Sequence, residues 1–159
     1  MRAGIGFDVH RFDESRPLVL GGVRIEGSAG LAGHSDADVI CHATADALLG
    51  AAALGDLGTF FPDSDEQWKD ASSLDLLSRV AMLVRDAGYR IENVDATVLI
   101  ETPAIAPYRD QMCAHIAHAL ALTEQQVSVK ATTAEGLGTV GRGEGAACMA
   151  VALVDEVGT

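Results

Sequence analysis

Over the first residues of the chain, apolar and other side chains alternate with a period of two, the spacing of a strand with one covered face. Residues 2–9 therefore predict a β-strand, and "PLVLGGVRIEG" predicts a hairpin turning on Gly21 and Gly22. The glycine-rich "GSAGLAGHS" leads into a helix. Ser35 suits its N-cap, Asp36 and Asp38 fall in its first turn, where they favour the helix dipole, and the helical spacing continues to about Leu54. "GDLGTFFPDSDEQWKDAS" has no usable period and is too long for an ordinary connection, which marks a functional or mobile loop. A second helix is expected over about 72–87, with Leu76, Val80, Leu83 and Val84 on one face and Gly88 closing it. A strand over about 93–101 precedes "TPAIAPY", whose prolines break structure, and Pro107 opens a third helix to about residue 122, with Met112, Ile116 and Leu120 inward. "QVSVKATT" reads as a strand, "AEGLGTVGRGEG" as a glycine-rich turn region and "AACMAVALVDE" as a final buried strand. This interleaving predicts an α/β (α+β) chain, a mixed β-sheet with helices packed on one face, in one domain over 1–159 without internal repeats.

Composition narrows the function. Hydrophobic residues make up 48% and aromatics 4%, which describes a core of small and branched aliphatics, large enough at 159 residues to fold without disulfides or structural metal. A formal net charge of −12 opposes binding to nucleic acid or an anionic membrane, because the phosphate term is repulsive. Phosphate on a small ligand is different, since a metal ion and a few amides neutralise it locally. Cys41, Cys113 and Cys148 form no CxxC and read as reduced residues of a cytoplasmic protein. No signal-peptide pattern opens the chain, and no apolar run approaches the ~20 residues of a membrane span.

Candidate chemistry begins at "GFDVH". Asp8 and His10, two apart on a strand, face one space. A strand end with a solvated carboxylate and a surface imidazole would give the same pattern. The helix adds a second signal: Asp38, His42 and Asp46 stand at i, i+4 and i+8 among apolar neighbours. If strand and helix pack together, Asp8, His10 and His42 form a His₂-carboxylate set with an open fourth position, the pattern of a catalytic zinc site. Asp46 or Asp38 would then orient an imidazole from behind. "GLGTVG" matches G-x-G-x-x-G at Gly136, Gly138 and Gly141, but the short run that follows leaves no room for a dinucleotide fold. Beside it, "TTAE" offers Thr132 and Thr133 to a phosphate and Glu135 to Mg²⁺ or Mn²⁺, with solvated turn residues as the plain alternative. His115 and His118, three apart on the third helix, lack a carboxylate cluster and read as surface residues.

Together, "GFDVH", "GHSDADVICHATADALLGAAALGDLGTFFPDSD", "KATTAEGLG" and "GRGEGAAC" resemble, in order and spacing, the blocks of the 2-C-methyl-D-erythritol 2,4-cyclodiphosphate synthase family. The resemblance implies a homotrimer with sheets around the central axis and active sites between subunits. It implies conversion of 4-diphosphocytidyl-2-C-methyl-D-erythritol 2-phosphate to the cyclic diphosphate and CMP, in the non-mevalonate isoprenoid pathway. Asp8, His10 and His42 match its zinc ligands, and Glu135 matches the ligand of a second divalent ion, Mg²⁺ or Mn²⁺, on the diphosphate. His34 and Ser35 match phosphate contacts, with His34 and Thr133 catalytic. Asp56, Leu57 and Gly58, with Phe61, Pro62, Asp63, Ser64 and Asp65, match segments that hold the sugar and erythritol portions. Ile100, Glu101, Thr102, Pro103, Ala104, Ile105 and Ala106, with Thr132, Thr133 and Ala134, match the cytidine and diphosphate pocket of the adjacent subunit.

Two positions depart from the family pattern. Ala104 stands where a lysine is common, and Thr139 where a phenylalanine is common near the trimer axis, while Arg142 remains. A different metal-dependent phosphoryl enzyme and a non-catalytic trimeric metal-and-nucleotide-binding module are the alternatives weighed against this resemblance.

Overall fold

A computed structural model describes residues 1–158; Thr159, the last residue of the expected domain, lies outside the described residues. Five strands form one mixed sheet in the order β2-β1-β5-β3-β4. They are β1 (Arg2–Leu20), β2 (Val23–Leu31), β3 (Tyr89–Leu99), β4 (Val127–Thr132) and β5 (Gly145–Glu156). Only β3 and β4 run parallel; β1 pairs antiparallel with β2 and β5, as does β5 with β3. The helices are α1 (Val39–Ala51), α2 (Leu57–Phe60), α3 (Ser73–Asp86), α4 (Arg109–Leu120) and α5 (Gly138–Gly141).

β1 is much longer than the alternation over residues 2–9 suggests. It changes partner midway, lying beside β5 from Arg2 to Arg11 and beside β2 from Phe12 to Leu20, with a register break between Asp13 and Pro17. The hairpin turns at Gly21 and Gly22 as expected, both at positive φ (55° and 71°), where a side chain would be strained.

The helical layer lies on one face because the sheet there is made of small residues. Gly4, Gly6, Asp8 and His10 of β1 pair with Ala152, Ala150, Cys148 and Ala146 of β5, and all four partners are fully buried. A β-carbon at Gly4 would come within 2.0 Å of the Ala47 carbonyl oxygen, and one at Gly6 within 1.9 Å of that of Ala43. Since real contacts never reach such distances, α1 sits on β1 backbone to backbone. Leu48 and Leu49 of α1, Leu77 and Val80 of α3, and Met112 and Ile116 of α4 complete the core.

Several expected boundaries shift. Asp38, not Ser35, caps α1: its carboxylate accepts from the N–H groups of Ile40 and Cys41, and also from those of Gly21 and Gly22, tying the helix start to the hairpin turn. Neither Asp36 nor Asp38 is therefore in the first turn. The helix stops at Ala51 rather than Leu54, since Ala53 (φ 58°) and Gly55 (φ 107°) take left-handed conformations. The unpatterned loop contains α2 and a 3₁₀ turn at Glu66–Trp68, each capped by an aspartate, Asp56 and Asp65. Pro107 lies in a 3₁₀ turn, Ala106–Tyr108, leading into α4. No helix is long and apolar enough to cross a membrane among the described residues.

Candidate active site

The approach of α1 to β1 brings His42 onto the face that carries Asp8 and His10. Asp8 Oδ2 lies 3.0 Å from His42 Nδ1 and 3.1 Å from His10 Nε2. All three side chains are half-buried, and each offers one ligand atom within 4.8 Å of the others. A tetrahedral ion with ~2.0–2.1 Å bonds would hold its donors about 3.3 Å apart, close to the two spacings that Asp8 already makes. His10 Nε2 is buried and, although Asp8 Oδ2 is 3.1 Å away, makes no well-aligned hydrogen bond among the described residues. An orphaned buried nitrogen aimed into a carboxylate–imidazole cluster is what an ion-binding site looks like without its ion.

Electrostatics agree with the geometry. Burial pushes the Asp8 carboxyl up, but the hydrogen bonds and charges of His10 and His42 together outweigh it and hold the group well below the usual carboxylate range. The His10 imidazole is raised, chiefly by Asp8 and against desolvation. Asp8 thus stays ionised, the form that a metal needs.

The loop before α1 supplies neighbours. The guanidinium of Arg16 donates to the carbonyls of Gly33 and Ser35, fixing the segment that carries His34 and Ser35. His34 Nε2 is 3.1 Å from the Asp65 carbonyl oxygen. Ser35 Oγ and Ser73 Oγ lie 3.0 and 2.9 Å from His42 Nε2. A cavity of about 40 Å³ beside them is lined by His34, Ser35, His42, Leu57, Phe61, Asp63, Trp68 and Leu76. Trp68 packs edge-on against Phe61 at 5.0 Å, and its buried indole N–H has no partner among the described residues. Of the segments expected to hold the erythritol portion, Leu57, Phe61 and Asp63 line this cavity; Asp56 caps α2 through Thr59, Gly58 and Ser64 are exposed, and Pro62 and Asp65 are half-buried.

Neither of the aspartates flanking His42 on the helix orients an imidazole. Asp38 is consumed by the cap, and Asp46 accepts the Leu57 N–H at 2.7 Å, anchoring α2 to α1. Sequence reasoning missed Asp36 and Ser73, although Asp36 was visible as an acidic residue beside the motif. It also missed Gly4 and Gly6, whose i, i+2 spacing continues to Asp8 and His10 and marks the close approach.

The remaining expected residues form a separate cluster. Glu101 Oε1 accepts the Ala134 N–H at 2.8 Å, Ile100 N–H donates to the Thr132 carbonyl at 3.1 Å, and Thr133 Oγ1 donates to Glu135 Oε1 at 3.2 Å. Glu135 is exposed, at a φ of 52°. Thr102 and Pro103 are joined by a cis peptide, Ala104 and Ala106 are exposed, and Ile105 is buried. Arg142 pairs with Glu144 at 2.6 Å. In register, Val9, Ala147, Leu99 and Thr132 form one row across the sheet, so this cluster is three strand spacings, about 14 Å, from the metal-type triad. A depression of about 810 Å³ lies between the hairpin and Thr102–Pro103 and is lined by none of the triad. The ligand geometry, rather than depression size, locates the chemistry.

His115 is half-buried, its Nδ1 3.2 Å from the Gly22 carbonyl, so only His118 is the surface residue expected. Cys41 and Cys148 are buried free thiols and Cys113 is partly so.

An α+β chain with a mixed sheet and a carboxylate–imidazole group between its first strand and first helix, able to hold a metal ion, defines the class. Residues 1–155 match the YgbB family, and the chain belongs to it. It is 60% identical over 156 residues to 2-C-methyl-D-erythritol 2,4-cyclodiphosphate synthase of Salinibacter ruber, covering 98% of this chain and 99% of that one. Identity to the enzyme of that name from Syntrophomonas wolfei is 57% at the same coverage. Among solved structures, the IspF–CDP complex of Plasmodium falciparum superposes with a TM-score of 0.85 at 34% identity, over 99% of this chain and 97% of that one. The bifunctional IspDF of Campylobacter jejuni superposes with a TM-score of 0.94 at 44% identity over 98% of this chain, which spans 42% of that longer protein.

Proposed function

We propose that the chain is a phosphorus–oxygen lyase that converts 4-diphosphocytidyl-2-C-methyl-D-erythritol 2-phosphate to 2-C-methyl-D-erythritol 2,4-cyclodiphosphate and CMP, in isoprenoid synthesis. The observation that carries the reading is the Asp8–His10–His42 cluster, in a chain that full-length synthases match from end to end.

The reaction joins two anionic phosphoryl groups of one molecule, so the protein must hold them in line and offset their charge. Asp8, His10 and His42 would hold Zn²⁺, and Glu135 a second divalent ion, Mg²⁺ or Mn²⁺. When bound, these ions supply the positive charge that an acidic protein lacks. Around them His34 and Ser35 contact phosphoryl oxygens, and His34 and Thr133 stabilise charge on the transferred group. Asp56, Leu57, Gly58 and the 61–65 segment hold the erythritol portion, while Leu57, Phe61 and Leu76 exclude water from it. Residues 100–106 with Thr132, Thr133 and Ala134 receive the cytidine and diphosphate, and Arg142 contributes to substrate binding. The 2-phosphate oxygen attacks the β-phosphorus, the bond to the CMP phosphate breaks, and no protein nucleophile is required. A well-held intramolecular attack has an effective molarity of ~10⁵ M or more, so positioning suffices without a strong base.

The ~14 Å between the two clusters of one chain supports a site shared by neighbouring subunits. So does the uncovered sheet face, where Ile5, Phe7 and Val9 of β1 and Met149 and Val151 of β5 are 42–65% exposed. An apolar patch of this kind marks an association surface, and a homotrimer with its sheets around the axis would bury it. We take residues 1–159 as a single cyclase domain, acting in the cytoplasm, where its three free thiols stay reduced. Incubation with the diphosphocytidyl substrate and Mg²⁺ tests the reading. CMP with a cyclic product supports it, whereas linear hydrolysis or no turnover contradicts it.

A further inference from the structure

His42 has two ring nitrogens, and the site needs only one. Nδ1 faces Asp8. Nε2 points away, between the hydroxyls of Ser73 at 2.9 Å and Ser35 at 3.0 Å. What each hydroxyl can do is set by its other partners. Ser73 is 1% exposed, at the first position of α3, and its hydroxyl donates to Asp36 Oδ1 while its N–H donates to Asp36 Oδ2 at 3.0 Å. A carboxylate only accepts, so the Ser73 hydrogen is committed and its oxygen can only accept from His42. Nε2 must then carry a proton, so that when an ion takes the place of the hydrogen bond to Asp8 it is Nδ1 that has a lone pair to give.

Asp36 is itself fixed. Its N–H donates to the Ala71 carbonyl at 3.1 Å, and the Asp70 N–H donates to the His34 carbonyl at 2.9 Å, so the loop before α1 and the chain entering α3 are joined along their backbones. Ser72, the cap residue of α3, makes no side-chain cap bond, and the carboxylate of Asp36 takes that part from across the chain. Ser35 differs from Ser73. Its oxygen accepts from the Ala37 N–H at 3.3 Å and lies against His42, while its own hydrogen has no acceptor among the described residues. It borders the 40 Å³ cavity and is free to donate to a ligand oxygen.

We infer that Ser73, aimed by Asp36, is a positioning residue that locks His42 in the tautomer offering Nδ1 to the metal, leaving Ser35 free to turn toward the substrate. The inference rests on the metal reading of Asp8, His10 and His42. Outer partners of ligating histidines typically contribute 10–100-fold in affinity or activity. The division of labour between two serines 38 positions apart follows from where their hydrogens go.

Zinc affinity by chelator competition on the intact protein, with ring ¹⁵N spectra of the zinc-loaded form, tests it. Wild type should bind zinc with His42 protonated at Nε2. Ser73→Ala should lose about 10–100-fold in zinc affinity, Ser73→Thr should restore most of it, and Ser35→Ala should stay within about threefold of wild type while raising the substrate KM. If Ser73→Ala fails to fold, the wild-type spectrum still decides: a proton on Nδ1 and metal on Nε2 overturns the assignment. Unchanged affinity in a folded Ser73→Ala, or an equal loss in Ser35→Ala, overturns it too. Wild type that binds no zinc overturns the metal reading itself and this assignment with it.

Discussion

Gly6 lies directly under Ala43, with so little room that a β-carbon on the glycine would sit 1.9 Å from the Ala43 carbonyl oxygen. This contact sets the height of α1 above β1, and His42 immediately precedes Ala43 on the helix. Gly6→Ala should therefore do two things at once. It should destabilise the fold by about 1–3 kcal/mol, as overpacking does, and weaken zinc binding by lifting His42 from Asp8. Urea unfolding and a zinc titration check the pair; loss of stability with zinc affinity unchanged would show that the helix height does not govern the site.

Asp38 joins the hairpin turn to the start of α1 through four backbone N–H groups, of Gly21, Gly22, Ile40 and Cys41. It is fully buried, so Asp38→Ala would strand those donors away from water. At about 1–3 kcal/mol for a buried unsatisfied group, the expected loss is a few kcal/mol, read as a fall in the urea midpoint. A change below about 0.5 kcal/mol, the scatter of neutral surface substitutions, would contradict the capping role.

The fold was largely legible from periodicity, since the hairpin, the three long helices and the last strands rest on local patterns that tertiary packing reinforces. The cap at Asp38 was not. Ser35 and Asp38 are both good caps by type, and only the return of the Gly21–Gly22 turn decides between them. The triad was legible because two of its members share a strand face and the third stands out on an apolar helix. Ser73 and Asp36 were hidden for the opposite reason: they meet across 37 residues through a backbone pairing that leaves no spacing to read.

Protons and metal compete at His10. Its raised titration, from an ordinary 6.5, means that in the metal-free protein the imidazolium–Asp8 pair stabilises the fold below about 6.5 and is lost as pH rises through the elevated value. Asp8, lowered, contributes above its ordinary 3.8 and is lost only as pH falls well below that. Zinc requires the neutral ring, so apparent zinc affinity should fall as pH drops through the His10 value, by roughly tenfold per pH unit for one displaced proton. Chelator competition from about pH 5.5 to 8.5 measures it; a flat profile would remove His10 from the ligand set.

Charge placed on the uncovered sheet face should separate assembly from metal binding. Phe7 is 56% exposed and points away from α1, opposite to Asp8. Phe7→Glu should give monomers by light scattering, with zinc still bound and turnover lost, because the proposed site pairs the triad of one chain with the Thr132–Glu135 cluster of another. Monomers with full turnover would contradict the shared site.

The most direct measurement is the zinc content of purified His42→Ala beside wild type, with CMP release followed on the same samples. The account predicts about one zinc per chain in wild type, little or none in the variant, a native circular dichroism spectrum in both, and CMP from wild type alone. A folded variant that keeps both its zinc and its rate would contradict it.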